Sequence, residues 1–406
     1  MKCRHCQAEL EQVFADLGSS PPSNSYLTSQ NLRQPEVFFP LLVYVCEKCW
    51  LVQTADFASR EELFTPDYSY FSSYSSTFIE HARNYADKMQ AMLSLGEYSQ
   101  VVEVASNDGY LLQFFQEKNI PNLGIEPTES TASVAREKGI TTLSEFFGVE
   151  LAGKLIAEGL RADLMAANNV LAHVPDINDF LSGFALLLAD EGVVTFEFPH
   201  LLSLVEKTAF DTIYHEHYSY LSLLAVDSVF HTNGLELFDV ETISTHGGSL
   251  RVYGQRAGSG SRERTSRVEE LLATEIAAGV NSTSFYVDFQ ARVIELKNRF
   301  LAFLLENRHK KVVGYGAAAK ANTIINYAGV RPDLIPFVVD RNPNKYGKFL
   351  PGSKIPILEE AEITRYMPDY IIIFPWNIKQ ELMQQLEYTR EWGCRFVTFF
   401  PETDIT

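Results

Sequence analysis

Val101-Val102-Glu103-Val104-Ala105-Ser106-Asn107-Asp108-Gly109 is a short β-branched run that breaks into a polar turn. Four apolar or enclosed positions followed by Ser-Asn-Asp-Gly read as a buried parallel strand that stops at a loop. The pattern repeats on both sides. Thr77 to Leu95 reads as an amphipathic helix before the strand, and Leu111 to Lys118 as a helix after it. Asn122 to Glu126 is a second strand that ends in an acid, followed by the turn Pro127-Thr128. Asp163 to Ala167 is a third, ending in Asn168-Asn169, and Gly192 to Phe198 a fourth. Strand, turn and helix alternate, so the central part of the chain is expected to be an open, doubly wound α/β domain.

Gly247-Gly248-Ser249-Leu250-Arg251 leads into a further strand, and Ala257-Gly-Ser-Gly-Ser261 has the composition of a domain boundary. Helical stretches follow over Glu263 to Ala278 and Phe285 to Asn307. A second α/β unit then begins at Lys311-Val-Val-Gly-Tyr-Gly316, with a helix opening at Ala317 and further strands at Phe337 to Asp340 and Tyr370 to Phe374. The same layout is used twice.

The chain has 406 residues, enough for two or three domains. Its 34 basic and 52 acidic residues leave a net charge of −18, which argues against nucleic acid or an anionic membrane as partner. The N-terminus carries no apolar stretch behind its charge, and no apolar run is long enough to span a bilayer, so the chain reads as cytoplasmic. Four of the five cysteines form two matched pairs, Cys3-x-x-Cys6 and Cys46-x-x-Cys49. A two-residue gap lets both thiolates of a pair reach one ion, and two such knuckles complete a closed tetrahedral Zn²⁺ site. Such an ion would hold together an N-terminal lobe too small to be stable alone. Cys394 stands alone and reads as a packing residue.

Three places carry chemistry. Glu126 ends the second strand about 20 residues past the first turn, where nucleotide-binding α/β folds place an acid for ribose hydroxyls. The first turn has one glycine, Gly109, and lacks the close backbone approaches that a pyrophosphate needs. S-adenosylmethionine, with a ribose and no phosphate, suits it better than NAD. The second unit has the opposite bias: Gly314-Tyr-Gly316-Ala317-Ala-Ala-Lys320 joins small residues, a helix N-terminus and a lysine, which favours a phosphate or pyrophosphate. Asp340 mirrors Glu126. The third place is Tyr214-His215-Glu216-His217-Tyr218. Two imidazoles, a carboxylate and two phenols in succession are the groups that move protons near neutral pH. Tyr214 and His217, three apart, would share a face of a helical turn, and Ser222 could cap a helix that Asn233-Gly234 ends.

Together these residues resemble the bacterial C-methyltransferases that act on nucleotide-linked (dTDP) 4-keto-deoxysugars, the C-3 enzymes above all. The resemblance spans nearly the whole chain. It rests on the four cysteines, Glu103-x-x-Ser106-Asn-Asp108-Gly109, Gly124-x-Glu126-Pro127, Asn169-x-x-x-His173-x-x-Asp176, Tyr214-x-Glu216-His217, His246-Gly-Gly-Ser-Leu-Arg251, Gly314-x-Gly316-Ala317-x-Ala-Lys320, and Lys345-x-Gly347 with Pro351-Gly352. It implies a zinc-binding lobe over residues 1–70, an S-adenosylmethionine-dependent methyltransferase domain over 71–255, and a C-terminal Rossmann-like domain over 256–406 that helps hold the sugar nucleotide. Glu103, Ser106, Asp108, Gly109, Glu126 and Asn169 fall at methyl-donor positions. Arg251, Gly314, Gly316, Ala317, Lys320 and Lys345 fall at substrate positions. Tyr68, His173, Tyr214, Glu216 and His217 fall at the active site. One departure is Ala105, where such enzymes usually have glycine.

The chemistry implied is removal of a proton beside a C4 ketone and methyl transfer to the enolate carbon. His217 is expected as the base, oriented by Glu216. Tyr214 or His173 would donate to the enolate oxygen, and Tyr68 would close the pocket, while His215 and Tyr218 are neighbours only. Methylation at C-5, at oxygen or at nitrogen is a rival reading, and a non-enzymatic zinc-ribbon adaptor another. The particular sugar, the nucleoside base and the oligomeric state are left open.

Overall fold

The computed structural model describes residues 1–57, 71–74 and 76–406. Three sheets organise them. The first is antiparallel, in the order β1 (Gln12–Ser20), β2 (Phe39–Val45), β3 (Val52–Thr54) and β9 (Ser219–Tyr220). The two cysteine knuckles flank it. Its last strand comes from the far side of the chain: Val52 pairs with Tyr220 and Gln53 with Ser219. The proton-moving cluster therefore runs directly into the sheet of the N-terminal lobe.

The second sheet has seven strands, ordered β10, β11, β8, β7, β4, β5, β6. Its parallel part comprises β4 (Val101–Val104), β5 (Asn122–Ile125), β6 (Thr142–Leu143), β7 (Ala162–Asn168) and β8 (Leu188–Pro199), while β10 (Leu235–Ile243) and β11 (Ser249–Arg256) add an antiparallel pair. Every residue of β4 is buried, as a strand covered by helices on both faces must be. The helix Ser76–Leu93 lies against one face and Ile177–Leu187 against the other. Ser222 caps the helix Leu223–Thr232 by accepting from the Ala225 N–H, and Asn233 ends it, as the sequence suggests. The helix Ser266–Ala278, beyond the Gly-Ser boundary, returns to this domain and sets Val268 into its core.

The third sheet has six strands, ordered β14 (Ile357–Leu358), β13 (Val338–Val339), β12 (Val312–Tyr315), β15 (Tyr370–Ile373), β16 (Arg395–Thr398) and β17 (Asp404–Ile405), all parallel except the last. The helix expected over Phe285 to Asn307 is divided at Asp288 into Ser284–Val287 and Phe289–Glu306. That division turns Phe289 onto Phe14, with ring centroids 4.2 Å apart, so the N-terminal sheet and the C-terminal domain share one core. Cys394 is buried in packing, which pushes its thiol up to about 11.

Candidate active site

The parallel strands of the seven-stranded sheet end at one crevice, where doubly wound folds place ligands. Glu103 is fully buried in β4, and its carboxylate oxygens meet no hydrogen-bond geometry among the described residues. Burial drives its pKa well above the usual carboxylate range, with Tyr110 pulling the other way. Ser106 Oγ, Asp108 Oδ1, Asn168 Oδ1 and both side-chain atoms of Asn169 are likewise buried without a partner among the described residues. Buried polar atoms are rarely left so, and their convergence on one crevice marks a place for a polar ligand. Glu126 follows β5 and accepts from the Asn107 N–H at 3.0 Å and the Thr128 N–H at 2.9 Å, tying the first turn to the second strand. Each oxygen keeps acceptor capacity for a ribose hydroxyl. Lys138 meets Asp108 at 3.4 Å, while no cation among the described residues pairs with Glu103. Gly109 has φ +75°, and a Cβ there would run into Ile140. Ala105 and Asn107 also have positive φ, +58° and +50°. The residues expected at the donor site thus lie at the ends of β4, β5 and β7, and Asn168, which the sequence marks only as the end of a strand, lies with them.

The proton-moving cluster lies beside this crevice. His217 Nδ1 meets the Thr212 carbonyl at 2.8 Å, and Nε2 meets the Tyr214 hydroxyl at 2.8 Å. A carbonyl can only accept, so Nδ1 carries the hydrogen and Nε2 is the basic nitrogen. The three-residue spacing is closed by a turn, with the His217 N–H donating to the Tyr214 carbonyl at 2.9 Å. His173, on the loop after β7, donates from Nδ1 to the Glu216 carbonyl at 2.7 Å, and its ring centroid is 4.6 Å from that of His217.

Glu216 does not orient His217. Its Oε1 accepts from the backbone and side chain of Asn24, at 3.1 and 3.0 Å, and its Oε2 is buried without a partner among the described residues. The expectation took sequence neighbours for spatial ones, but in this tight turn the two side chains leave in different directions. Burial raises the Glu216 pKa, with the Asn24 donors opposing it. His215 is structural: it is buried, with Nε2 3.2 Å from the Phe39 and Pro40 carbonyls. Tyr68 lies outside the described residues.

The C-terminal unit meets the same cluster. Lys320 Nζ is 3.8 Å from Asp211 and 4.8 Å from the Trp376 ring centroid, and it makes no hydrogen bond among the described residues. Burial lowers its pKa and raises that of Asp211, each opposed by the other's charge. Trp376 donates to Asp211 at 2.8 Å, and Thr323 donates to the Ile213 carbonyl at 2.8 Å. Asp340 mirrors Glu126 closely: it accepts from the Ala317 N–H at 2.8 Å and the Asn342 N–H at 2.9 Å.

The glycine-rich turn is less open than its composition suggests. A Cβ on Gly314 would stand 2.6 Å from Phe374, and one on Gly316 2.5 Å from Pro375. The close approach that these glycines permit is thus used by the segment after β15. Lys345 donates to the Ala317 carbonyl at 2.8 Å and to Asp340 at 3.1 Å. Arg251 is buried and paired with Glu197 at 2.9 Å, which His81 also contacts. Of the substrate side chains, Lys320 has no hydrogen-bond partner among the described residues, and Asp211 is the charge it faces. Asn24, Asp211 and Trp376 were missed; the Pro-Pro-Ser-Asn-Ser run at 21–25 was the one local signal for the first.

The N-terminal cysteines form the expected cluster. Their sulfurs all lie within 4.8 Å of one another, with Cys3 to Cys49 at 3.6 Å and Cys6 to Cys46 at 3.5 Å. Four Zn–S bonds of about 2.3 Å in a tetrahedron put sulfurs roughly 3.8 Å apart. Each knuckle continues into a residue with left-handed backbone at the matching place, Gln7 at φ +62° and Trp50 at φ +60°. The thiols cannot all ionise side by side without a cation. A hydrogen bond from Cys49 lowers the Cys3 pKa and in turn raises that of Cys49. The site fits Zn²⁺.

Comparison with known proteins finds matches along the chain. Residues 3–64 match the family "Putative zinc binding domain", residues 78–240 "Methyltransferase domain", and residues 244–401 "C-methyltransferase C-terminal domain". The C-methyltransferase NovU of Streptomyces niveus is 32% identical over 411 residues, covering 100% of this chain and 96% of the relative. Among solved structures, an S-adenosylmethionine-dependent methyltransferase from Clostridium acetobutylicum is 10% identical, covering 44% of this chain and 92% of its own, with a TM-score of 0.37. Magnesium protoporphyrin IX methyltransferase from Synechocystis PCC 6803 is 16% identical, covering 45% and 82%, with a TM-score of 0.33. The full-length relative and the matched domains carry the assignment: the chain belongs to the C-methyltransferase family, as an S-adenosylmethionine-dependent enzyme with an N-terminal zinc-binding lobe.

Proposed function

We propose that the enzyme methylates C-3 of a nucleotide-linked 4-keto-deoxysugar through an enolate. The observation that carries this reading is the state of His217: its Nδ1 hydrogen is held by a backbone carbonyl, so Nε2 is a base, and a phenol and a second imidazole stand beside it. A hydrogen beside a ketone is acidic because the carbanion delocalises onto oxygen. Nε2 takes that proton, and Tyr214 or His173 donates to the oxygen where charge develops. One such aimed donor is worth about 2.7–4 kcal/mol in a well-studied case. Bound S-adenosylmethionine supplies the electrophilic methyl group. Glu103, Ser106, Asp108, Glu126, Asn168 and Asn169 would hold it in this crevice. Lys320 supplies charge for the nucleotide's phosphates from the C-terminal side. The chain's main task is alignment of the carbanion with the methyl.

The test is product identification. Incubation with ¹³C-methyl donor and a panel of nucleotide-linked 4-keto-deoxysugars should yield one labelled methyl on the C-3 carbon, located by NMR. A methyl found on oxygen, nitrogen or C-5 would overturn the assignment.

A further inference from the structure

We propose that the first cysteine knuckle positions the two active-site histidines, with Arg4 and Thr54 as the positioning residues. This rests on the reading of His217 as the base. Arg4 lies between Cys3 and Cys6 and is only 9% exposed. Its guanidinium donates to the Pro175 carbonyl at 2.9 Å, two residues past His173, and to the Thr54 carbonyl at 2.8 Å. It also stands 5.2 Å from the ring centroid of Tyr218, next in sequence to His217. Thr54 donates from Oγ1 to the His217 carbonyl at 2.6 Å and from its N–H to the Tyr218 carbonyl at 3.0 Å.

The link to the cysteines is direct. Gln53, fully buried, donates to Cys3 Sγ at 3.2 Å and accepts from the Arg4 N–H at 2.9 Å. It also pairs with Ser219 in the ladder between β3 and β9. The Tyr218 N–H donates to the Ala172 carbonyl at 2.7 Å, which joins the two histidine turns. From Cys3 to each histidine, every step is a hydrogen bond or a neighbouring residue. A lobe that only packed against the enzyme would not need its knuckle to reach both turns through one guanidinium. A shift of about 1 Å at a base can cost roughly 100-fold in rate, so even a modest release of this linkage is measurable.

The experiment follows solvent deuterium exchange at the carbon beside the ketone, in the zinc-loaded full-length chain, using a nucleotide-linked 4-keto-deoxysugar that the native enzyme exchanges. Thr54→Val should slow exchange about tenfold or more while donor affinity stays within about twofold and zinc content is unchanged. Thr54→Ser should restore most of the rate. Arg4→Met should show the same split, with Arg4→Lys intermediate, and it carries the test if Thr54→Val does not fold. A second readout is the ¹⁵N spectrum of His217 with donor bound: removing zinc should convert its single tautomer into a mixture.

Native exchange rates in both Thr54→Val and Arg4→Met, or a Ser variant no better than Val, would overturn the positioning role. An unchanged His217 spectrum after zinc removal would do the same. His217→Gln serves as the control. If it exchanges at the native rate, the base assignment itself has failed, and the positioning role falls with it.

Discussion

Ala105 offers a sharp energetic test of the donor crevice. Its φ is +58°, a left-handed conformation, and its N–H is held by the Ile125 carbonyl at 2.7 Å. An L-residue there carries a penalty of roughly 1–2 kcal/mol. Glycine removes it but brings about 0.5–1 kcal/mol of extra unfolded-state freedom. Ala105→Gly should therefore stabilise the methyltransferase domain by about 0.5–1 kcal/mol, or about 1–4 °C in melting temperature. The assay is thermal unfolding by circular dichroism without donor, with donor affinity by calorimetry as a companion. Gly109→Ala is the contrasting substitution: φ is +75° and a Cβ would collide with Ile140, so it should lose at least about 1 kcal/mol. If Ala105→Gly destabilises by more than about 1 kcal/mol, the Ala105 Cβ is packed rather than strained, and the account of the turn is wrong.

Other outcomes follow from the same structure. One zinc per chain should be retained in native mass spectrometry, and Cys49→Ser should lose it and melt lower, because structural zinc contributes folding energy directly. Burial would raise the Glu197 pKa, but the bond from His81 and the charge of Arg251 outweigh it and hold the carboxyl below its usual 4.5. A depressed carboxylate stabilises the fold above its ordinary pKa and loses that contribution as pH falls through the folded value. Glu197→Gln should accordingly melt earlier at neutral pH and show a flatter acid limb in a plot of melting temperature against pH. Lys320→Met should raise KM for the nucleotide sugar roughly tenfold, the order expected for a lost bond to a charged group, with donor affinity unchanged in calorimetry.

Much of this was legible in the residues. The turn after Val104, the acid after Ile125 and the paired cysteines are local patterns whose spacing reflects a geometric need, and each lies where its pattern implies. The Tyr214 to His217 contact also follows from spacing alone. What local patterns could not supply were long-range partners. Two-residue β9 pairs with β3 across some 166 positions, and nothing in Ser219-Tyr220 announces it. Asn24 reaches Glu216 across 192 positions, so the carboxylate was assigned to its sequence neighbour instead. Gly314 and Gly316 signalled a close approach correctly, but the approaching group includes Phe374 and Pro375 of the same domain. Helix Ser266–Ala278 follows a flexible composition yet packs back onto the first domain, because its apolar face, not the linker, decides where it lies.

The central claim is that His217 Nε2 removes a proton beside the ketone. Its most direct measurement is hydrogen exchange at that carbon in deuterated solvent, with and without His217. The native enzyme should exchange the C-3 hydrogen even before methyl transfer, and His217→Gln should lower that rate by about 100-fold or more with donor affinity intact. Undiminished exchange in His217→Gln, or methyl transfer by the native enzyme to oxygen without any exchange, would contradict it.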